Sequence, residues 1–532
     1  MTFYVFYIIF AVIIVGLVHK FILQPLVLSP LAKIPVPHWS CHISPLWILY
    51  ARKNNLQNRS LHDAHLKLGP VVRIGPNELS IDGYDALKTV YQGGFEKDQC
   101  VPCMFSTLTS KPHSLRKRLI SHTYSKSFIH ASPAARSQAR EILFTRLLPL
   151  LSAPESSQAV EVFSTFLATA MDFITAYVFG LRNGTDFIRN KAYRDHWLQL
   201  YLARATHGFW PQEMPALTAF CTRFGLGFKP YPAWVDTANA ELAAWNKKLC
   251  EQASDYIHTS TMSPSAQDPA DEPVVFKALV SGIEKEAATN KEYSLLYPDA
   301  GPRRNLFVAS EVMDHVLAGQ ETAGIALTYL AHHLSLSPSL QQSLRAELQT
   351  LSPPLKFQSS GDVPLPDPRD VDALPLLHAT IMETLRLHAP IPGPEPRRTP
   401  HPSACIGPFT VPPGVRVAAL GHTLHRNAHA FPEPETWNHR RWLKSETSEE
   451  QRRDMNRHFW AFGSGGRMCI GSNFAMNGWI WDGSEIKLIA AAIWTNFTTH
   501  LVDDTSIEQD DTYTARPIGE RLILKFELVE SG

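Results

Sequence analysis

The sequence predicts a mainly α-helical protein with small β-sheets, preceded by one N-terminal transmembrane helix. Three observations carry this. From Asn305 to Leu334, Val308, Val312, Val316, Gly319, Ala323, Ala326 and Leu330 recur at gaps of three and four without a proline, the period of a long buried helix. Strand-like runs are short: VVRIGPNELSI near 71–81, FTVPPGVRVAAL near 409–420, and RLILKFELV at the end. The chain also begins with an apolar run long enough to cross a bilayer.

That run, FYVFYIIFAVIIVGLVHKFIL from Phe3 to Leu23, carries its positive charges at His19 and Lys20, after the apolar stretch. A cleaved secretory signal would place a basic residue before it and a small-residue cleavage site after it, whereas SPLAKIPVPHW follows as a proline-stiffened linker. The expected organisation is an anchor at 1–28, a linker at 29–40 and one large domain at 41–532. The positive-inside rule puts that domain in the cytosol. The seven cysteines, an odd number and scattered, then stay reduced, Cys100 and Cys103 included, and the sequons at Asn58, Asn183 and Asn496 stay unglycosylated. Fifty basic residues balance fifty acidic ones, which removes any global argument for nucleic acid.

Along the domain, Arg116, Lys117 and Arg118 form a basic cluster whose bland explanation is a solvated helix face. Aromatic residues crowd 187–234: Phe187, Trp197, Tyr201, Phe209, Trp210, Phe220, Phe224, Phe228, Tyr231 and Trp234. Core packing accounts for most of them. Polar stretches near 152–157, 259–273 and 352–370 read as loops between helices. In ETLRLHAP, Glu383 and Arg386 stand at i and i+3 on a helix.

The chemistry concentrates in AFGSGGRMCIGSNFAM. Its glycines at 463, 465, 466 and 471 permit a tight turn whose N–H groups face inward, and Cys469 follows at the start of a helix, where those groups and the helix dipole lower a thiol's pKa. A cysteine beside glycines can equally be a small buried hydrophobe. The full pattern FxxGxRxCxG, formed by Phe462, Gly465, Arg467, Cys469 and Gly471, resembles the haem-thiolate loop of the cytochrome P450 family. AGQETA, ETLRLHAP and FPEPETWNHRRW follow that family's order, so the resemblance spans the chain beyond the anchor.

The resemblance implies a haem b whose iron takes Cys469 as axial ligand. It implies that Ala318 and Gly319 leave room against the haem, that Thr322 holds dioxygen and relays protons, and that Glu321 links this relay to solvent. It implies a structural triad of Glu383, Arg386 and Arg441, weakened by His439 and Arg440 where the family commonly has a proline and an acid. It implies propionate partners at Arg467, Arg397, His113 and Lys117, the last two standing where the family has WxxxR. It further implies a substrate pocket fed by 95–110, Val316–Thr322, Ile391–Gly393 and the turn near Ile518, beneath a roof formed by 187–234. The expected protein is an endoplasmic-reticulum, single-pass monooxygenase that takes electrons from NADPH-cytochrome P450 reductase and inserts one atom of dioxygen into an apolar small molecule, a secondary metabolite such as a terpenoid or polyketide. The alternatives are a haem-thiolate isomerase or dehydratase and a non-catalytic haem-binding protein. The last arises because GWIWDGS, Gly478 to Ser484, interrupts the helix after the cysteine loop; without it, Ala475, Ile486, Ile489 and Ile493 fall at gaps of four, three and four.

Overall fold

The computed structural model describes residues 2–93, 95–97, 103–153, 159–223, 230–262, 268–296, 301, 303–357, 363–475 and 485–529. GWIWDGS, Cys100, Phe224 and Phe228 lie outside the described residues.

The helix expected over 305–334 runs from Arg304 to Ser335 and forms the axis of the core. Its main neighbour is the helix Val162–Phe179, almost wholly buried along its length. That helix is apolar enough to cross a membrane, but its burial makes it a core element. Two glycines set the approach of the pair: a Cβ on Gly319 would stand 2.7 Å from Ile174 Cγ1, and one on Gly324 would stand 2.6 Å from Leu167 Cδ2. Gly319 therefore serves the close packing of these two helices. In the first 28 residues, helix Thr2–Val18 and a wider helical segment to Leu28 expose their apolar side chains, and Tyr4–Leu28 is long and apolar enough to span a bilayer.

All three expected strand regions form. Val71–Gly75 pairs antiparallel with Glu78–Ile81, which pairs in parallel with Arg416–Ala419; Arg397–Arg398 and Glu96–Lys97 complete a five-stranded sheet. The end strand Ile523–Leu528 sits between Val160–Glu161 and Phe497–Asp503, and Ala404–Ile406 pairs with Phe409–Val411. Helix extends into two of the stretches read as loops. Trp234–Met262 is one helix, and Pro368–Asp372 forms a short one capped by the Asp367 side chain.

Candidate active site

The cysteine loop is built on left-handed glycines. Gly465 has φ +72°, and a Cβ there would lie 2.3 Å from the Tyr91 carbonyl oxygen, so the turn needs glycine on both counts. The Cys469 N–H donates to the Phe462 carbonyl at 2.9 Å, closing the loop, while the half-buried Phe462 packs on the main core. Gly471 leaves the sulfur 3.8 Å from where a Cβ would stand.

Cys469 lies deep in the protein, yet its surface is open, so it lines an internal recess. The N–H groups of Gly471 and Ser472 bond to its sulfur, as the loop reading required, but burial outweighs them and pushes the thiol above its ordinary value. The expected lowering does not occur in the protein alone. A thiolate at this depth needs a cation against it, and a metal ion supplies one. Ala318, exposed on a long helix whose flanks are buried, and the half-buried Thr322 likewise open onto interior space. Tyr124 joins the two sides: its hydroxyl shares a hydrogen bond with His315 Nδ1 at 3.0 Å on the long helix, three residues before Ala318, and its pKa is raised by burial, with Tyr177 and the nearby Cys469 adding to the rise.

The proposed propionate partners do converge. Arg467 donates to the carbonyls of Thr107 and Leu108, both at 2.7 Å, and Lys117 Nζ reaches those of Met468 at 3.0 Å and Gly466 at 3.3 Å. Arg397 is buried against the Tyr91 ring and pairs with Glu395 at 3.2 Å. His113 is pushed down to about 4 by burial, with Arg467, Lys117, Lys97 and Arg397 adding repulsion. Arg467 is itself lowered to about 10 by burial and by Arg397. Cations held this close favour an anion bearing carboxylates, so the donor set fits haem. The neighbours of Lys117 divide differently: Arg116 is buried in an ion pair with Glu311, while Arg118 is exposed.

Glu321 does not reach solvent. Buried to 2% exposure, it pairs with Arg516, accepts from Thr514 Oγ1 at 2.9 Å through Oε1, and accepts from the Tyr201 hydroxyl through Oε2. Three side chains thus surround this carboxylate and separate it from direct contact with solvent. Thr322 Oγ1 donates to the Ala318 carbonyl at 2.7 Å. No motif announced Thr514 or Arg516; they come from the C-terminal turn expected near the pocket, whose Ile518 is 56% exposed.

The Glu383 triad is complete, not weakened. Arg386 binds the carboxylate twice, at 2.8 and 2.9 Å, and Arg441 Nε binds it at 3.1 Å. Trp442 Nε1 at 2.9 Å and the Asn438 N–H at 2.8 Å compensate for the missing proline and acid. The network anchors the segment that leads into the cysteine loop.

Residues 305–520 match the family model described as cytochrome P450. Curated fungal relatives include cytochrome P450 monooxygenase avaI of Aspergillus versicolor, 26% identical over 80% of this chain and 96% of that protein. Cytochrome P450 monooxygenase hkm5 of Aspergillus hancockii is 26% identical over 93% of this chain and 90% of its own. Tryprostatin B 6-hydroxylase of Aspergillus fumigatus is 25% identical over 82% of this chain and 71% of its own. The cysteine loop, the buried Glu383 network, the match over residues 305–520 and these relatives agree, and together they support assignment to the cytochrome P450 family and to the monooxygenase class of oxidoreductases.

Proposed function

We propose that this protein is an anchored haem-thiolate monooxygenase of the endoplasmic reticulum, with residues 41–532 facing the cytosol. It takes electrons from NADPH-cytochrome P450 reductase and oxidises an apolar secondary metabolite. The observation that carries the reading is Cys469 itself: a thiol deep in the protein with an open surface, with two N–H donors at its sulfur and the buried Arg397 and half-buried Lys117 and Arg467 beside its loop. The fungal relatives, among them a tryprostatin hydroxylase, support the secondary-metabolite class. The exposed apolar segment Tyr4–Leu28 supports the anchor.

Cys469 would hold the iron, and His113, Lys117, Arg397 and Arg467 would hold the propionates. The bound haem supplies dioxygen activation, which no side chain here can perform. Ala318 leaves space at the recess wall, and Thr322 places a hydroxyl there to hold and pass a proton. Glu383, Arg386 and Arg441 keep the cysteine loop in place. The test is the reduced carbonyl spectrum of the haem-loaded chain. The native protein gives the thiolate-type red-shifted band and Cys469→Ser loses it, because a neutral hydroxyl cannot supply the axial charge; a variant that keeps the band refutes the ligand. Co-expression with the reductase and untargeted product analysis then identifies the substrate.

A further inference from the structure

Helix Lys191–Thr206 carries Tyr193, Trp197 and Tyr201 at i, i+4 and i+8, so the three rings share one stripe. Tyr201 hydrogen-bonds to Glu321, the residue before Thr322. Its ring stacks on Trp197 with centroids 5.5 Å apart and planes 13° from parallel. Trp197 meets Trp245 at 5.6 Å, and the Trp245 indole N–H donates to the Tyr193 hydroxyl. Tyr193 is 36% exposed, whereas Trp197 is 1% exposed. Four oxidisable rings thus run without a break from the long helix to the surface.

We propose that Tyr201, Trp197, Trp245 and Tyr193 form a conduit that carries stray oxidising equivalents away from the site and discharges them at the surface. Two features distinguish this from ordinary packing. The first ring has a proton acceptor already in place, so Tyr201 can lose an electron and pass its phenolic proton to Glu321 without leaving a charge on the ring. Arg516 and Thr514 hold that carboxylate ready. The second ring has no acceptor among the described residues: Trp197 Nε1 is buried without a hydrogen-bond partner there. An oxidised Trp197 has no base to which it can lose its proton, so it passes the vacancy on instead of trapping it. For a packing role alone, a buried indole N–H without a partner is a cost that phenylalanine would avoid.

The electrons balance as follows. The proposal rests on the haem reading: bound haem treated with hydrogen peroxide would supply the oxidising equivalents, and for each one Tyr201 gives up one electron and passes its phenolic proton to Glu321. Tyr201 recovers an electron from Trp197 and its proton from Glu321; Trp197 draws an electron from Trp245, and Trp245 from Tyr193. Tyr193 releases its phenolic proton to water. A thiol in solution then returns one electron and one proton to Tyr193.

The experiment treats the full-length ferric haem protein, in detergent, with hydrogen peroxide and a spin trap, without substrate or reductase. Adducts are mapped by peptide mass spectrometry and haem bleaching is followed by absorbance. In the native chain the adduct appears on Tyr193; Trp197→Phe loses it and bleaches faster, with the thiolate-type band retained. Trp245→Phe, at a half-buried position, interrupts the same path and gives the same result if Trp197→Phe does not fold. An equal Tyr193 adduct in the interrupted variants, or no adduct on Tyr193 in a native chain that shows the thiolate band, overturns the conduit and leaves the haem reading standing. A native chain without the thiolate band overturns both.

Discussion

Glu321 and Arg516 form a buried ion pair that ties the middle of the long helix to the C-terminal turn, 195 residues further on. Arg516 also pairs with Glu520 at 2.8 Å, so one guanidinium joins two carboxylates. Removing it strands Glu321 at 2% exposure. Arg516→Leu is expected to cost about 3–5 kcal/mol, the usual range when one partner of a buried pair is lost. Replacing both partners, as Glu321→Met with Arg516→Leu, recovers most of that loss. Chemical denaturation of the native chain, Arg516→Leu and the double variant measures it, and a double variant no more stable than Arg516→Leu would show that the pair is not the source.

The Glu383 carboxylate accepts from Arg386, Arg441, Trp442 and the Asn438 backbone at once. Glu383→Ala leaves two buried guanidiniums facing each other and is expected to prevent accumulation of the folded haem protein. Trp442→Phe removes only one bond to a charged group, so it should lower stability by about 1.5–3 kcal/mol while keeping the haem spectrum. A Trp442→Phe protein that lost its haem would mean that the indole positions the cysteine loop directly.

How much of this was legible in the sequence follows from what each feature depends on. The long helix announced itself because its buried face repeats at helical gaps over eight turns' worth of local pattern. The cysteine loop was legible because its glycines and cysteine are neighbours in the chain. The packing of Gly319 was not legible because a small residue on a helix does not say which neighbour approaches it, and here Ile174 does. The seclusion of Glu321 was hidden for a similar reason: Tyr201, Thr514 and Arg516 lie far away in sequence and meet only through the fold. The strand Phe497–Asp503 escaped notice because TTHLVD is mostly polar and is held by pairing with Ile523–Leu528.

His378 lies on the Glu383 helix and is pushed down to about 4 by burial, with Lys487 adding and Asp372 opposing. Its ordinary value is 6.5. Between these values the unfolded chain binds a proton that the folded chain refuses. Its contribution to stability, up to about 3 kcal/mol, is therefore complete above about pH 6.5 and is lost as the pH falls toward 4. His378→Gln should flatten the decline of melting temperature over that interval. An identical slope in the variant would place the acid sensitivity on other buried histidines.

The segment Gly478–Ser484 yields the last prediction. The chain after it is well built: helix Glu485–Asn496 buries Ile486, Ile489 and Ile493, the residues that follow Ala475 at helical gaps once the seven are removed. Seven residues make nearly two helical turns and would advance a continuous helix by about 10 Å, while Gly478 and Gly483 each disfavour helix by about 1 kcal/mol relative to alanine. The first described residue beyond the segment bears a cost as well. Glu485 is buried, its Oε1 has no hydrogen-bond partner among the described residues, and burial pushes its carboxyl well above the usual range. We expect that deleting Gly478–Ser484 raises both the haem bound per chain and the melting temperature, because the helix can then follow the cysteine loop directly. Haem content by pyridine haemochrome and thermal denaturation read the two effects. If the deletion lowers haem content, the seven residues belong to the working site and the expectation fails.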